Sequence, residues 1–268
     1  MMQLPAPLCA LAIALTLGTA AGCADRGAAE RAPLPDSAAP PTAAAASSLT
    51  VTPVSHASFV LSDGRVTVYN DPVGGADAYA GFAAPDLVLL SDIHGDHLDS
   101  ATLVGVVAPT TTLVAPEAVA VQLPPKLRAQ TRVLANGASA TVAGIPVEAV
   151  PMYNLREEAL QFHPKGRGNG YVIALGGERL YIAGDTEDIP EMRALEGIDR
   201  AFVPMNLPYT MPVDAAASAV ADFSPRVVYP YHYRGKGGLS DTAQFRALLA
   251  ESNPAVQVVG LDWYPDRN

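Results

Sequence analysis

Short apolar runs alternate with polar loops along most of the chain, and this pattern predicts β-strands and helices. Short runs rich in apolar residues and bounded by glycine, proline or polar residues are typical of buried strands. The predicted strands are Ala57–Leu61, Arg65–Tyr69, Leu87–Leu90, Thr111–Ala115, Arg132–Leu134, Ala140–Ala143, Val147–Val150, Tyr171–Leu175, Arg179–Ala183, Ala201–Pro204, Arg226–Tyr229 and Val256–Val259. Longer stretches that begin near a capping residue or a proline predict helices. The predicted helices are Ala101–Val107 with Asp99 as N-cap, Pro116–Gln122, Ile189–Leu195, Met211–Phe223 with Thr210 as N-cap, and Asp241–Glu251.

The order of these elements predicts one layered domain over residues 49–268. Strands cluster first and then alternate with helices, and no linker composition follows Ser48. This order favours an α/β fold with helices outside and sheets between them. The stretch Pro151–Gly170 is predicted to be a long irregular loop, and loops of this length in compact domains are commonly functional.

The first 48 residues predict export and a tether. Leu8–Ala21 is almost wholly apolar, too short to span a membrane and typical of a signal peptide, which we place at residues 1–22. Residues 23–48 are rich in alanine and proline and predict a disordered tether. The small residues before Cys23 resemble a bacterial lipoprotein processing site. We therefore expect a periplasmic protein anchored to the membrane through a lipid on Cys23; cleavage by ordinary signal peptidase is the alternative.

Composition limits the classes of function. The formal net charge is −10, which disfavours binding to nucleic acid or to an anionic membrane surface. Both cysteines, Cys9 and Cys23, precede the predicted domain, so the domain has neither a disulfide nor a thiolate ligand. Any metal must be bound by nitrogen and oxygen atoms, which suits zinc, manganese or iron.

The segment Ser91–Asp99, S-D-I-H-G-D-H-L-D, carries the strongest chemical signal, and we call it the ligand loop. It follows a predicted buried strand and precedes a helix, a position at which a rigid scaffold presents side chains to a cleft. Four of its residues are capable metal ligands: Asp92, His94, Asp96 and His97. We predict that this loop binds one or two divalent metals and that other segments supply the missing ligands.

The remaining candidate ligands also follow strands or lie in the long loop. Asp185 follows one predicted strand, His232 follows another, and His163 lies in Pro151–Gly170. Taken alone, His163 fits an ordinary hydrogen-bonded histidine and Asp185 a turn residue. Together with the ligand loop they form a set that structural roles do not explain, so we expect them to share a metal site.

The order D-x-H-x-D-H, a distant His, G-D-T and a C-terminal His resembles the metallo-β-lactamase superfamily, whose motif is HxHxDH followed by His, Asp and His. The resemblance extends from about Leu49 to Tyr264 and is greatest to the branch containing ascorbate-6-phosphate lactonase and N-acyl-phosphatidylethanolamine phospholipase D. It implies a four-layer αβ/βα sandwich and a centre of two divalent metal ions. Zinc is the expected metal, with manganese or iron as alternatives.

By position, the resemblance assigns His94 and His163 to one metal. It assigns Asp96, His97 and His232 to the other metal, and Asp185 to both. Asp96 and Asp185 are therefore also the expected catalytic residues.

Asp92 departs from the family pattern, which has a histidine at this position. Its carboxylate either coordinates, which would favour manganese or iron, or leaves the first site weak. Asp71 is expected to orient a ligand histidine through the other ring nitrogen. His56 is either a structural residue or a residue that contacts a metal ligand without binding the metal itself. Asn154 is either a loop residue, a substitute ligand or a substrate contact.

Several cations flank the proposed ligands. Lys165 and Arg167 lie beside His163, and Arg234 and Lys236 lie beside His232. We predict that they bind an anionic group of the substrate, with solvated loop residues as the alternative.

The implied activity is hydrolysis of a small ester, lactone, amide or phosphodiester by a metal-bound hydroxide, since a divalent metal lowers the pKa of its water from about 16 to roughly 7. The alternative is a metal-containing binding lipoprotein without catalytic activity. The expected partner is a small molecule, with no nucleic acid and membrane contact only through the lipid anchor.

Overall fold

Two β-sheets face each other across the main hydrophobic core of the protein. The computed structural model describes residues 49–264; the predicted signal peptide, the tether and Cys23 lie outside these residues. Rings from both sheets meet in the core, where Phe59 stacks on Phe202 with centroids 4.4 Å apart. The Tyr171 hydroxyl also crosses between the sheets and donates to the carbonyl of Leu90 at 2.6 Å.

The first sheet has six strands that follow one another in chain order. They are β1 (Thr50–Ser55), β2 (Ser58–Ser62), β3 (Thr67–Asn70), β4 (Leu87–Leu89), β5 (Thr112–Ala115) and β6 (Thr131–Val133). The pairs β1–β2 and β2–β3 are antiparallel, and β3 to β6 run parallel.

The second sheet has seven strands in the order β15-β12-β11-β10-β9-β8-β7. They are β7 (Ser139–Val142), β8 (Ile145–Met152), β9 (Gly168–Leu175), β10 (Glu178–Ile182), β11 (Arg200–Pro204), β12 (Val227–Tyr231) and β15 (Gln257–Val258). Strands β7 to β10 are antiparallel, and β10, β11, β12 and β15 run parallel. A separate hairpin consists of β13 (Arg234–Gly235) and β14 (Gly238–Leu239).

Helices cover the sheets. They are α1 (Ser100–Val106), α2 (Glu117–Ala120), α3 (Pro125–Ala129), α4 (Pro190–Arg193), α5 (Val213–Phe223) and α6 (Thr242–Ser252), with short 3-10 helices at Ala76–Tyr79 and Glu157–Ala159. Within residues 49–264, no helix combines the length and the apolar composition that a membrane span requires.

Alternate residues of a strand face different cores. Leu87 and Leu89 of β4 join the core between the sheets, whereas Val88 packs in a second core with Leu103 of α1. All three strand residues are fully buried. A strand covered on both faces is apolar at every position, which explains why β4 was recognisable as a continuous run.

The structure confirms the predicted α/β layering, and it also corrects local predictions. Thr210 is not the N-cap of α5, because Pro212 holds that position and the Thr210 hydroxyl donates instead to Asn206. Helix α3 lies between the predicted helix Pro116–Gln122 and the predicted strand Arg132–Leu134, where no helix was predicted, and β1 was not predicted either. The predicted loop Pro151–Gly170 is shorter than expected, since β8 continues to Met152 and β9 begins at Gly168.

Candidate metal centre

Strands of both sheets deliver acidic and histidine residues to one cleft. Asp71 follows β3 and the ligand loop follows β4 in the first sheet; Asp185 comes after β10 and His232 after β12 in the second. Parallel strands place their carboxyl ends at the same edge of a sheet, so residues distant in sequence become neighbours. The cleft lies where the two sets of strand ends face each other.

Three residues of the cleft region have an unusual backbone conformation. His56, Asp71 and His232 have φ values of 55°, 41° and 47°. Residues other than glycine rarely adopt positive φ, and such conformations persist where surrounding contacts fix them, commonly at functional sites. The turn before Asp185 uses Gly184, with φ of 66°, where an added Cβ would lie 2.5 Å from the Met152 sulfur.

Asp71 fixes the ring of His97. Its Oδ2 lies 3.0 Å from His97 Nδ1, and its two oxygens accept hydrogen bonds from the Ser91 amide and the Ser91 hydroxyl at 2.7 and 2.6 Å. All three residues are fully buried. Because a carboxylate only accepts, the hydrogen of the neutral imidazole lies on Nδ1, and the Nε2 lone pair points to the cleft.

A backbone carbonyl holds the ring of His163 through its Nδ1 atom, as Asp71 holds the ring of His97. His163 Nδ1 lies 3.1 Å from the Tyr209 carbonyl, which accepts, so the neutral ring again leaves its lone pair on Nε2. The Asn154 amide donates to the same carbonyl at 2.7 Å and to the Ala159 carbonyl at 2.9 Å. Asn154 therefore helps to position the Tyr209 carbonyl, which in turn holds the His163 ring. Its buried side chain does not line the cleft.

The Nε2 lone pairs of His97 and His163 both point to Asp185. His97 Nε2 and His163 Nε2 lie 3.4 and 3.2 Å from Asp185 Oδ2. The buried Asp185 Oδ1 makes no hydrogen bond with any residue that the structure describes, although His232 Nε2 lies 3.3 Å away. Lone pairs and a carboxylate repel each other unless a positive charge lies between them. This donor set therefore fits a divalent cation bound by nitrogen and oxygen.

A second group of ligands lies beside the first. Asp96 Oδ2 is 3.5 Å from His232 Nε2, and His232 Nε2 is 3.1 Å from His97 Nε2. His56 joins this group, because its Nε2 lies 3.3 Å from Asp96 Oδ2 and its ring packs against His232. The hydroxyl of Tyr264 lies 2.6 Å from His56 Nδ1 and holds that ring. His56 thus lies closer to the predicted ligands than sequence reasoning placed it.

Asp92, His94 and His163 form a third group of candidate ligands. His94 Nδ1 lies 2.7 Å from Asp92 Oδ2, and His163 Nε2 lies 4.0 Å from the same oxygen. Asp92 is fully buried, and Arg167 donates to both of its oxygens. The structure therefore gathers the seven predicted ligands, together with His56, into three groups, of which the last two share His232: Asp92, His94 and His163; His56, Asp96 and His232; and His97, Asp185 and His232.

The pKa values of two buried groups of the cluster are shifted in opposite directions by their neighbours. Burial by itself lowers the pKa of His97, but Asp185 and Asp71 outweigh burial and raise that pKa well above its ordinary value. Burial by itself raises the pKa of Asp185, but His232 and His97 hold it well below its ordinary value. Binding of a metal to these groups would therefore release protons.

The cleft has a volume of about 260 Å³. It is lined by His56, His94, Asp96, Phe162, His163, Asp185, Asn206, Tyr209 and Arg234. A larger open groove of about 660 Å³ runs along β7 to β10, and two of its four charged residues, Glu148 and Arg179, pair with each other at 3.5 Å. Four of the predicted ligands, His94, Asp96, His163 and Asp185, line the smaller cleft, which is therefore the candidate site.

The predicted cations have separate positions. Arg234 lines the cleft, and its guanidinium lies 4.2 Å from the centre of the Tyr264 ring. Arg167 is bound to Asp92, and Lys165 donates to Glu191 at 2.8 Å and to the Tyr153 hydroxyl. Lys165, Arg167 and Asn154 each contact protein groups and do not line the cleft, so their predicted substrate contacts stay predictions.

Sequence reasoning missed three supports of the site. The Tyr209 carbonyl, the Ser91 hydroxyl and the Tyr264 hydroxyl each contact a histidine of the cluster. A backbone carbonyl has no signature in a sequence. Ser91 was detectable in principle, because it stands inside the ligand loop directly before Asp92.

Comparison with known proteins agrees with this geometry. A family model described as a β-lactamase superfamily domain matches residues 50–232. A UPF0173 metal-dependent hydrolase of Pyrococcus furiosus is 30% identical over 218 residues, covering 77% of this chain and 94% of the relative. A UPF0173 metal-dependent hydrolase of Pyrococcus abyssi is 29% identical over 211 residues, covering 75% of this chain and 92% of the relative.

Solved structures show the same fold. The crystal structure of a Parabacteroides distasonis protein, described as a candidate metal-dependent hydrolase, is 37% identical with a TM-score of 0.70 and covers 79% of this chain and 92% of that one. A metallo hydrolase from Ignicoccus hospitalis is 22% identical with a TM-score of 0.66 and covers 80% of this chain and 94% of that one. At this identity the second likeness supports the fold alone.

Proposed function

The chain belongs to the metallo-β-lactamase superfamily, and we propose that it is a metal-dependent hydrolase acting in the cleft around Asp185. The observation that carries the proposal is the convergence of the His97 and His163 Nε2 lone pairs on a buried carboxylate. Hydrogen bonds on the far side of each ring fix this arrangement. In their neutral form both rings direct a lone pair to this carboxylate, and nitrogen and oxygen donors in this arrangement suit a divalent cation.

We assign the donors to two metal subsites that share Asp185, as the family resemblance implies: His94 and His163 in the first, and Asp96, His97 and His232 in the second. The candidate groups of the structure support this assignment in part, since His94 and His163 lie together with Asp92, and His97 and His232 lie together with Asp185. Nitrogen and oxygen ligands suit zinc, with manganese or iron as alternatives. When bound, divalent ions supply Lewis acidity and lower the pKa of a coordinated water.

The chain's own residues position the reaction. Asp71 and the Tyr209 carbonyl hold two ligand rings in one orientation, which fixes where the metals and the substrate meet. Asp185 touches both groups of ligands and keeps them together. Phe162 and Tyr209 form an aromatic wall of the cleft, with ring centroids 5.1 Å apart, and limit access of bulk water.

The substrate is a small ester, lactone, amide or phosphodiester with an anionic group. A cleft of about 260 Å³ holds only a small molecule. Arg234 presents its guanidinium beside the metal ligands, held against the face of Tyr264. An arginine in this position binds carboxylate or phosphate with two parallel hydrogen bonds.

Metal analysis followed by a hydrolysis screen tests the proposal. Protein purified without added metal should contain zinc, manganese or iron, and it should hydrolyse at least one class among esters, lactones, amides and phosphodiesters. Chelation should abolish the activity, and added metal should restore it. Tight metal binding without turnover of any class would instead support a metal-containing binding protein.

We also propose export, with a lipid on Cys23. The apolar segment Leu8–Ala21 and the small residues before Cys23 support it. The mass of the mature N-terminus tests this proposal: a diacylglyceryl group on Cys23 is expected, and Cys23→Ser should release the protein from the membrane fraction. A mature chain that begins elsewhere and lacks lipid would contradict it.

A further inference from the structure

One amide in the wall of the cleft has no hydrogen-bond acceptor among residues 49–264. It belongs to Asn206, which lies in the loop after β11 and lines the cleft together with His163 and Asp185. We propose that the Asn206 side-chain amide donates a hydrogen bond to an acyl or phosphoryl oxygen of the substrate. This inference rests on the proposed function, and it adds a substrate-binding residue that sequence reasoning did not identify.

The Asn206 amide nitrogen is free and accessible, although the residue as a whole is only 2% exposed. Nδ2 makes no hydrogen bond with any residue that the structure describes, yet protein atoms do not enclose it. In an otherwise buried residue, an amide nitrogen that is neither bonded nor enclosed reaches the cleft that the residue lines.

The free amide distinguishes Asn206 from the other asparagines of the protein. A buried amide ordinarily finds its partners within the protein. Over the described part of the chain, each of the other asparagines donates from Nδ2 to at least one protein oxygen: Asn70, Asn136, Asn154, Asn169 and Asn253. The exception at Asn206 indicates that its acceptor is supplied by a ligand.

Thr210 determines which end of the Asn206 amide faces the cleft. The Asn206 backbone amide donates to the Thr210 hydroxyl at 3.1 Å, and this hydroxyl donates in turn to Asn206 Oδ1. With the side-chain amide reversed, the fully buried hydroxyl would accept twice and its single hydrogen would have no acceptor within residues 49–264. Oδ1 is therefore directed to Thr210, and Nδ2 is directed to the cleft.

The rest of the loop is held from outside the cleft. Arg156 Nη2 donates to the carbonyls of Pro208 and Thr210 at 3.0 and 2.7 Å. The buried carboxylate of Glu187 accepts from Arg156 Nε at 2.7 Å and fixes the guanidinium. Because the loop is fixed before substrate binds, little conformational entropy is lost when Asn206 forms its hydrogen bond.

The free atoms of Asn206 limit what it can bind. With Oδ1 occupied, the group that faces the cleft is a neutral donor without acceptor capacity. It suits an uncharged carbonyl oxygen or a phosphoryl oxygen, which every substrate class of the proposed function contains. Arg234, the cation that lines the same cleft, is suited instead to an anionic group.

Steady-state kinetics of two Asn206 variants test the inference on p-nitrophenyl acetate and bis(p-nitrophenyl) phosphate. Asn206→Ala should lower kcat/KM about 2- to 10-fold, as expected for loss of a neutral hydrogen bond. Asn206→Asp keeps the oxygen that accepts from Thr210 but replaces the donor by an oxygen that repels the substrate oxygen, so kcat/KM should fall further. Wild-type kcat/KM in both variants would overturn the inference.

Metal binding separates a substrate contact from a structural role. Asn206→Ala should keep the wild-type affinity for Co²⁺ in calorimetric titration, because Asn206 is not among the proposed ligands. A parallel loss of Co²⁺ affinity would assign Asn206 a structural role and overturn the inference. Asn253→Asp is the matched control, since it makes the same change away from the cleft and should keep wild-type kcat/KM.

Thr210→Val gives an independent test of the amide's orientation. Valine resembles threonine in shape but lacks the hydroxyl, so the Asn206 amide is no longer fixed and kcat/KM should fall. In the Asn206→Ala background the same substitution should have no further effect on kcat/KM, because Thr210 acts through Asn206. Additive losses would overturn the fixed orientation of the amide.

Thermal unfolding of each variant shows that it is folded before the kinetics are measured. Failure of the inference differs from failure of the proposed function, because in the first case the wild type is active and the variants match it. A metal-loaded wild type that hydrolyses neither probe nor any class of the hydrolysis screen would contradict the proposed function and the inference together.

Discussion

The Nε2 atoms of His97 and His232 lie 3.1 Å apart, although 135 residues separate them in the chain. The Nδ1 hydrogen of His97 is directed to Asp71, so its Nε2 presents a lone pair to His232. Both rings are buried and stack at 5.0 Å between centroids. Two buried imidazoles in this arrangement need a shared proton or a shared cation, so removal of a bound metal should affect the stability of the fold.

Removal of the metal should lower stability. A ligand present at about 1,000 times its dissociation constant stabilises the folded protein by about 4 kcal/mol. Unfolding measured with and without chelator should show a decrease of this order in the free energy of unfolding, together with a lower unfolding temperature. In Asp185→Asn, which removes the shared carboxylate, chelator should have little further effect, and activity should fall at least about a hundredfold, more than for loss of an orienting group. An unfolding temperature independent of chelator in the wild type would contradict the metal centre.

Asn154 should affect metal binding without touching the metal. Asn154→Ala removes one hydrogen bond from each of the carbonyls of Tyr209 and Ala159, which keep His163 Nδ1 and the Phe162 amide as donors; at about 0.5–1.5 kcal/mol for each lost bond, the free energy of unfolding should fall by about 1–3 kcal/mol. It also loosens the support of His163, so metal affinity should fall. Urea unfolding and calorimetric titration measure the two effects.

Asn253→Ala is the matched control for Asn154. The Asn253 amide also donates to a carbonyl, that of Ala221 at 3.1 Å, and to the Ser224 hydroxyl, away from the cleft. This variant should lose some stability and keep its metal affinity. Equal metal affinities for the two variants would remove the positioning role of Asn154.

Arg234 should select anionic substrates. Arg234→Gln removes the cation that lines the cleft, so KM should rise about tenfold or more for a substrate with a carboxylate or phosphate, as expected for loss of a charged hydrogen bond worth about 1.5–3 kcal/mol. For a neutral substrate with the same scissile bond, KM should change little. Lys165→Gln is the control, because Lys165 pairs with Glu191 outside the cleft. Equal losses on anionic and neutral substrates would contradict the assignment.

Glu178 should make stability depend on pH independently of the metal. Burial by itself raises the pKa of Glu178, but Arg200 and Arg226 outweigh burial and lower it. A carboxyl whose pKa is lowered in the folded protein stabilises the fold above its unfolded pKa, and this contribution disappears as pH falls through the folded pKa. Glu178→Gln should therefore be destabilised by roughly 1–3 kcal/mol at neutral pH, and the difference from wild type should shrink as acid is added.

Denaturant unfolding of metal-free protein, from neutral pH down through the pKa of a carboxyl group, measures the effect of Glu178. Glu148→Gln is the control, because Glu148 is 44% exposed and its contact with Arg179 is 3.5 Å long. Exposed pairs of this kind contribute about 0–1 kcal/mol. A constant difference between Glu178→Gln and wild type at all pH values would show that the arginines do not act through the charge of Glu178.

The sequence by itself determined the features that depend on near neighbours. Asp99 accepts from the amides of Ala101 and Thr102, so this predicted cap is confirmed. Asp241, the first residue of a predicted helix, accepts from the amides of Ala243 and Gln244 and is the N-cap of α6. The strand β4 was recognisable because it is covered on both faces. These hydrogen bonds and periodicities span only a few residues, and the residue types alone specify them.

Only the tertiary structure decided which groups the distant side chains meet. Arg167 and Asp92 are 75 residues apart, and His56 and Tyr264 are 208 residues apart. A charged or aromatic residue in a loop can bind substrate, metal or protein, and its sequence neighbours do not distinguish these roles. The packing of two sheets brings the strand ends together, and the resulting distances decide that Arg167 binds Asp92 while Arg234 lines the cleft.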